Sequence, residues 1–149
     1  MSRARARART PAVRSRRKSW KFRCGLEEYE RARARLSRLD AHDAQRAIDN
    51  GATLIDIRSD AQRAADGSVP GALYLPRNVL EWRLDPDSGY SHERAPGLDD
   101  KVIIMCNEGY QSSLAAATLQ ELGFEHATDL EGGFQAWKDA GLPVDAGTR

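Results

Sequence analysis

The chain holds two cysteines, Cys24 and Cys106, and Cys106 is the one set where a thiol could do chemistry. Residues Lys101–Ser113 read KVIIMCNEGYQSS. An apolar run, KVIIM, predicts a buried central strand that ends at Cys106. Five residues follow, Gly109 among them, and a helix is expected to begin near Ser112. In open α/β sheets, sites form beyond the carboxyl ends of strands. A short loop between strand and helix can turn several backbone N–H groups inward, beside the positive end of the helix dipole. A cysteine there would have its thiolate stabilised, and the thiolate is the nucleophile. A persulfide on the same sulfur would be an anion held by the same N–H groups. Spacing alone leaves a second reading open: a small apolar residue that ends a core strand.

The elements that must position such a loop can be read around it. Leu26, Tyr29, Ala32, Arg33, Leu36 and Leu39 approximate helical spacing, with acidic residues in the first turn. A helix over Asp40–Asn50 should stop at Gly51, and Ala52–Ile57 should form a strand. Ser59–Asp66 reads as a helical turn, Ala72–Leu75 as a strand and Asn78–Leu84 as a short helix. The polar, turn-rich stretch Asp85–Asp100 is a surface connection. Ser112–Leu122 predicts a helix stopped by Gly123, Ala127–Leu130 a strand, and Phe134–Ala140 a last helix. Strands alternating with helices argue for a parallel sheet covered on both faces.

Composition bounds the setting. The chain has 149 residues, 40% hydrophobic and 30% charged, which suits one globular domain. The formal net charge of +1 conceals an asymmetry. Residues 1–23 carry ten Lys or Arg and no acid, leaving thirteen basic against twenty-two acidic residues elsewhere, a balance of −9. Residues 1–25 read as a basic, disordered arm or as a start codon placed too early, and 26–149 as the domain. The arm could contact phosphates, but only Trp20 and Phe22 interleave with its cations, so nucleic acid is not an expected partner. Removal of residues 1–23 is expected to leave the melting temperature and the activity nearly unchanged.

No run approaches the ~20 apolar residues that span a bilayer, so no membrane partner is expected. Arg16-Arg17 lacks the apolar stretch that an export signal needs, and the expected compartment is the cytoplasm. Two cysteines without a CxxC pair or a histidine cluster offer no zinc framework, and a reducing cytosol argues against a Cys24–Cys106 disulfide. His42, His92 and His126 belong to no motif.

Four segments in order resemble the successive signatures of the rhodanese-like family. They are Leu54–Arg58 (LIDIR), Gly67–Ala72 (GSVPGA), Cys106–Ser113 (CNEGYQSS) and Leu130–Gly141 (LEGGFQAWKDAG). The resemblance covers roughly residues 38–144. It implies an α/β fold with a five-stranded parallel sheet flanked by helices on both faces. It also implies Cys106 as the persulfide-forming residue, with Asn107, Glu108, Gly109, Tyr110, Gln111 and Ser112 as its binding loop. Asp56 and Arg58 match the family's strand-end acid and arginine, which brace the loop. Gly132, Gly133 and Trp137 match a terminal turn and a packing aromatic, hence scaffold. The implied function is sulfur transfer from a small donor such as thiosulfate to a thiol or cyanide, without cofactor or metal.

The departures bear on the donor. Many thiosulfate-using members carry a cation in the loop; here there is Glu108, whose carboxylate would repel an anionic donor unless it faces solvent. Arg77, after a predicted strand, could bind the donor anion instead, while Arg83 reads better as a surface salt bridge. A phosphatase or arsenate reductase would need an arginine five residues beyond the cysteine's neighbour to clamp an oxyanion, and Ser112 stands in that place. A non-catalytic sulfur carrier, redox sensor or binding module on the same scaffold is the remaining alternative.

Overall fold

The computed structural model describes residues 26–147. The basic arm and Cys24 lie outside them. Helix α1 (Leu26–Ala34) is followed by α2 (Ala41–Asp49), β1 (Thr53–Asp56), α3 (Asp60–Asp66) and β2 (Leu73–Tyr74). A 3-10 turn (Arg77–Val79) leads into α4 (Leu80–Leu84), and then come β3 (Val102–Met105), α5 (Gln111–Glu121), β4 (Ala127–Asp129) and α6 (Gly133–Asp139).

The local chemistry explains the boundaries. Asp40 caps α2 by accepting from the Asp43 N–H, and Gly51, at φ +101, turns the chain out of it. Ser59 and Gln62 form a capping box at α3. β3 is buried along its whole length because both of its faces are covered.

The sheet is parallel throughout, in the order β2-β1-β3-β4. Four strands stand where five were expected. The fifth place, beside β4, is taken by a single bridge at Leu39, whose N–H donates to Asp129 O at 3.1 Å while its carbonyl accepts from Glu131 N at 2.8 Å. α1 likewise ends at Ala34, short of Leu36 and Leu39, because the chain must extend to lie along this edge.

Alternate residues of β1 and β3 divide the core. Ile55, Val102 and Ile104 pack with Ala115, Ala116 and Leu119 of α5 and with Leu80 and Leu84 of α4. Leu54, Ile103 and Met105 pack with Ala41 and Ala44 of α2 and Phe134 and Trp137 of α6. Each fully buried aliphatic side chain contributes about 1.5–3 kcal/mol. The two central strands therefore make a rigid base. Their carboxyl ends, at Asp56 and Met105, are in register, which sets Arg58 and Cys106 on one edge of the sheet. Among the described residues no helix is long and apolar enough to cross a membrane.

Candidate active site

Cys106 leaves β3 and is 7% exposed. Its Sγ accepts from two backbone donors, Gly109 N at 3.2 Å and Ser112 N at 3.4 Å. Ser112 is in the first turn of α5, where N–H groups lack partners within the helix. No side chain caps α5. The sulfur takes that part, at the end of the helix that favours negative charge. Residues 106–111 thus curl around one atom.

The loop rests on the start of α6. Phe134 N donates to Cys106 O at 2.8 Å, and Gln135 N to Asn107 O at 3.1 Å. The Gln135 side chain also donates to Asn107 Oδ1 at 3.1 Å. These contacts need a very close backbone approach. A Cβ on Gly133 would lie 2.5 Å from Cys106 O, and one on Gly109 would lie 2.6 Å from Gly132 N. Gly132 and Gly133, expected as general scaffold, are the seat of the loop itself. Gly133→Ala is expected to cost roughly 1–3 kcal/mol and to reduce sulfur transfer sharply. Gly141→Ala is the control, because its φ of +73 is similar but no atom lies within 4 Å. Equal losses of activity in the two variants would contradict the seating role.

On the opposite side, a polar network pins the helix end. Asp129, 0% exposed, accepts at Oδ2 from Ser112 Oγ and Ser113 Oγ, both at 2.8 Å. Arg38 grips the same carboxylate through Nε at 2.9 Å and Nη2 at 3.2 Å. A buried carboxylate needs such partners, since an unpaired one is strongly disfavoured. Arg33, Arg38, Ser113 and Asp129 were not among the candidates from sequence. The signal for Asp129 was an acid inside an apolar strand; nothing local marks Arg38, which is 91 positions away.

Asp56 and Arg58 form a buried ion pair, with Arg58 Nε on Oδ1 at 3.0 Å and Nη2 on Oδ2 at 2.8 Å. Arg63 adds a third guanidinium contact at 3.2 Å. Neither Asp56 nor Arg58 hydrogen-bonds to residues 106–111. Arg58 instead lies 3.9 Å from the centre of the Phe134 ring, and so braces the loop through α6. Nearby Tyr74 has its phenol pushed up to about 12, by burial first and then by a hydrogen bond to Asp60. It stays neutral well above neutral pH.

A cavity of about 570 Å³ opens over the sulfur, lined by Cys106, Asn107, Glu108, Tyr110 and Gln111 of the loop and, opposite, by Ile57, Arg58, Pro76 and Arg77. Arg77 faces it with its guanidinium engaged by Glu81 at 2.6 Å. Arg83 does not line it and donates to Tyr90 O at 2.8 Å. Glu108 is exposed at the rim. Among the described residues no cluster of His, Cys, Asp or Glu could hold a metal.

Comparisons with known proteins agree with this arrangement. Thiosulfate sulfurtransferase GlpE of Actinobacillus pleuropneumoniae is 34% identical over 111 residues, covering 74% of this chain and 94% of its own. A solved structure from Rhodopseudomonas palustris, of a protein of unknown function described as a possible tyrosine phosphatase, superposes with a TM-score of 0.73 at 33% identity. It covers 79% of this chain and 91% of its own. The polysulfide-sulfur transferase homodimer of Wolinella succinogenes gives a TM-score of 0.65 at 26% identity, over 86% of this chain and 89% of its own. The similarity to the thiosulfate sulfurtransferase supports a sulfurtransferase role. With residues 40–140 matching the rhodanese-like domain, and a parallel sheet that presents a cysteine loop at its carboxyl edge, the chain belongs to the rhodanese-like family.

Proposed function

We propose that the protein moves a sulfane sulfur from a donor such as thiosulfate to a thiophilic acceptor through a persulfide on Cys106. The observation that carries this reading is the buried Sγ at the base of the cavity, facing two backbone N–H donors. In the first step the Cys106 thiolate attacks the outer sulfur of the donor. A new S–S bond forms, the donor's S–S bond breaks, and sulfite leaves with the bonding electron pair. In the second step a thiolate or cyanide attacks the outer sulfur and Cys106 departs as thiolate. The scheme needs no cofactor and no general base. It requires a free thiol, which a reducing cytoplasm maintains.

The phosphatase alternative lacks support from the loop. Ser112 occupies the position of the oxyanion-clamping arginine, and its hydroxyl is committed to Asp129. The non-catalytic alternative differs in turnover. A thiosulfate:cyanide assay with varied concentrations of both substrates should give the parallel double-reciprocal lines of a ping-pong reaction. A stoichiometric, single-turnover release of thiocyanate would favour a carrier.

Glu108 sets a limit on the donor. It is exposed at the cavity rim, where solvent and salt screen its charge. Glu108→Gln is therefore expected to improve the thiosulfate KM by at most a few-fold, with the gain fading as salt is raised. A gain of roughly tenfold or more in kcat/KM would indicate a pocket built against anions. The natural donor would then be a neutral or protein-bound persulfide.

A further inference from the structure

Two guanidinium groups converge on a single backbone oxygen of the cysteine loop. Arg33 Nη2 donates to Gly109 O at 2.9 Å, and Arg38 Nη2 donates to the same atom at 3.0 Å. Two like charges so close repel, and the arrangement must be held by other contacts. Arg38 is anchored on Asp129. Arg33 is held by Ser113 Oγ at 3.1 Å, and its guanidinium carbon lies 5.7 Å from the Tyr29 ring centre and 5.3 Å from that of Tyr110. Among the described residues no carboxylate forms an ion pair with Arg33. Its charge is directed at the loop.

The peptide joining Gly109 to Tyr110 is trans, so its C=O and N–H point in opposite directions. Drawing the Gly109 carbonyl toward α1 turns the Tyr110 N–H away from α1, and Tyr110 lines the cavity. The N–H groups of Gly109 and Ser112 are already on Sγ, whereas those of Tyr110 and Gln111, between them, make no hydrogen bond among the described residues. A donor held there without a partner suits the second sulfur of a persulfide. Cations on the carbonyl oxygen also polarise the peptide and strengthen its N–H as a donor.

We propose that Arg33 and Arg38 are positioning residues that orient and polarise the Gly109–Tyr110 peptide toward the outer sulfur on Cys106. They supply from behind the loop the positive charge that the loop itself lacks. For its catalytic consequence the inference rests on the reading of Cys106 as a sulfur carrier; for its geometry it does not.

The test uses the full chain with Arg33→Gln and Arg33→Lys, followed by thermal melting, backbone amide NMR and the thiosulfate:cyanide assay. The Arg33→Gln protein should move the Tyr110 amide resonance in the sulfur-free state and lower kcat by about tenfold, leaving the cyanide KM near its wild-type value. Arg33→Lys should recover part of the kcat, since it restores charge but cannot reach Gly109 O and Ser113 Oγ together. Arg38→Gln should act in the same direction with an added loss of stability, because the buried Asp129 loses its cationic partner. Folded Arg33→Gln protein with an unmoved Tyr110 resonance and wild-type kcat would overturn the proposal, as would a lower melting temperature as its sole effect. If the wild-type protein transfers no sulfur, the sulfurtransferase reading fails, and the sulfur-free resonance still decides the positioning role.

Discussion

Cys106→Ser should abolish sulfur transfer and leave the fold intact. An oxygen at this position can accept the same N–H groups of Gly109 and Ser112, so the loop keeps its turn. Oxygen cannot carry a transferable sulfane, and the loss should reach the background of the assay. The residue is small and borders the cavity at its base, so the stability change should stay within about 1 kcal/mol. Circular dichroism and thermal melting check the fold, and thiocyanate release checks the activity. More than a trace of thiosulfate:cyanide activity in the folded variant would mean that another group is the nucleophile. The analogous Cys24→Ser change is expected to do little.

The second large effect concerns stability. Asp56→Ala leaves the Arg58 guanidinium buried with only Gly67 O at 2.8 Å and the Phe134 ring for company. Arg58 is 2% exposed, so water cannot replace the lost carboxylate. Removing one partner of a buried pair typically costs 3–5 kcal/mol, a large share of the ~5–15 kcal/mol that stabilises a domain. The denaturant midpoint should fall accordingly. Because Arg58 stacks on Phe134, whose N–H holds Cys106 O, sulfur transfer should fall as well in the protein that remains folded. A change below about 1 kcal/mol would show that the pair is dispensable.

The sequence foretold the central elements well because their signals are local. KVIIM is too apolar to be other than a buried strand, and α5 shows its apolar face at Ala115 and Leu119 before Gly123 stops it. Asp40 and Ser59 announce helix starts through their own side chains. The errors have one physical origin, which is partners distant in sequence. Periodicity carried α1 on to Leu39, but Leu39 is claimed by β4 and Arg38 by Asp129. Arg33 fitted the apolar stripe as a spacing match, while its guanidinium crosses to Gly109, 76 positions later. The fifth strand shrank to one bridge for the same reason: residues 35–39 reach the sheet edge only at their end.

The candidate site was legible to a similar extent. Cys106 and its loop follow from a strand, a short turn and a helix, and the cavity brings Arg58 and Arg77 to face them. What spacing could not give was the support around the loop. Gly133 against Cys106 O and Asp129 under Ser112 and Ser113 are tertiary contacts between segments that share no local pattern.

The most direct test of the central claim is intact-protein mass spectrometry with peptide mapping after incubation with thiosulfate. The peptide containing Cys106 should gain one sulfur atom, removed by cyanide and absent from Cys106→Ser protein. An unmodified Cys106 after incubation with thiosulfate and with an organic persulfide, or sulfur found only on Cys24, would contradict it.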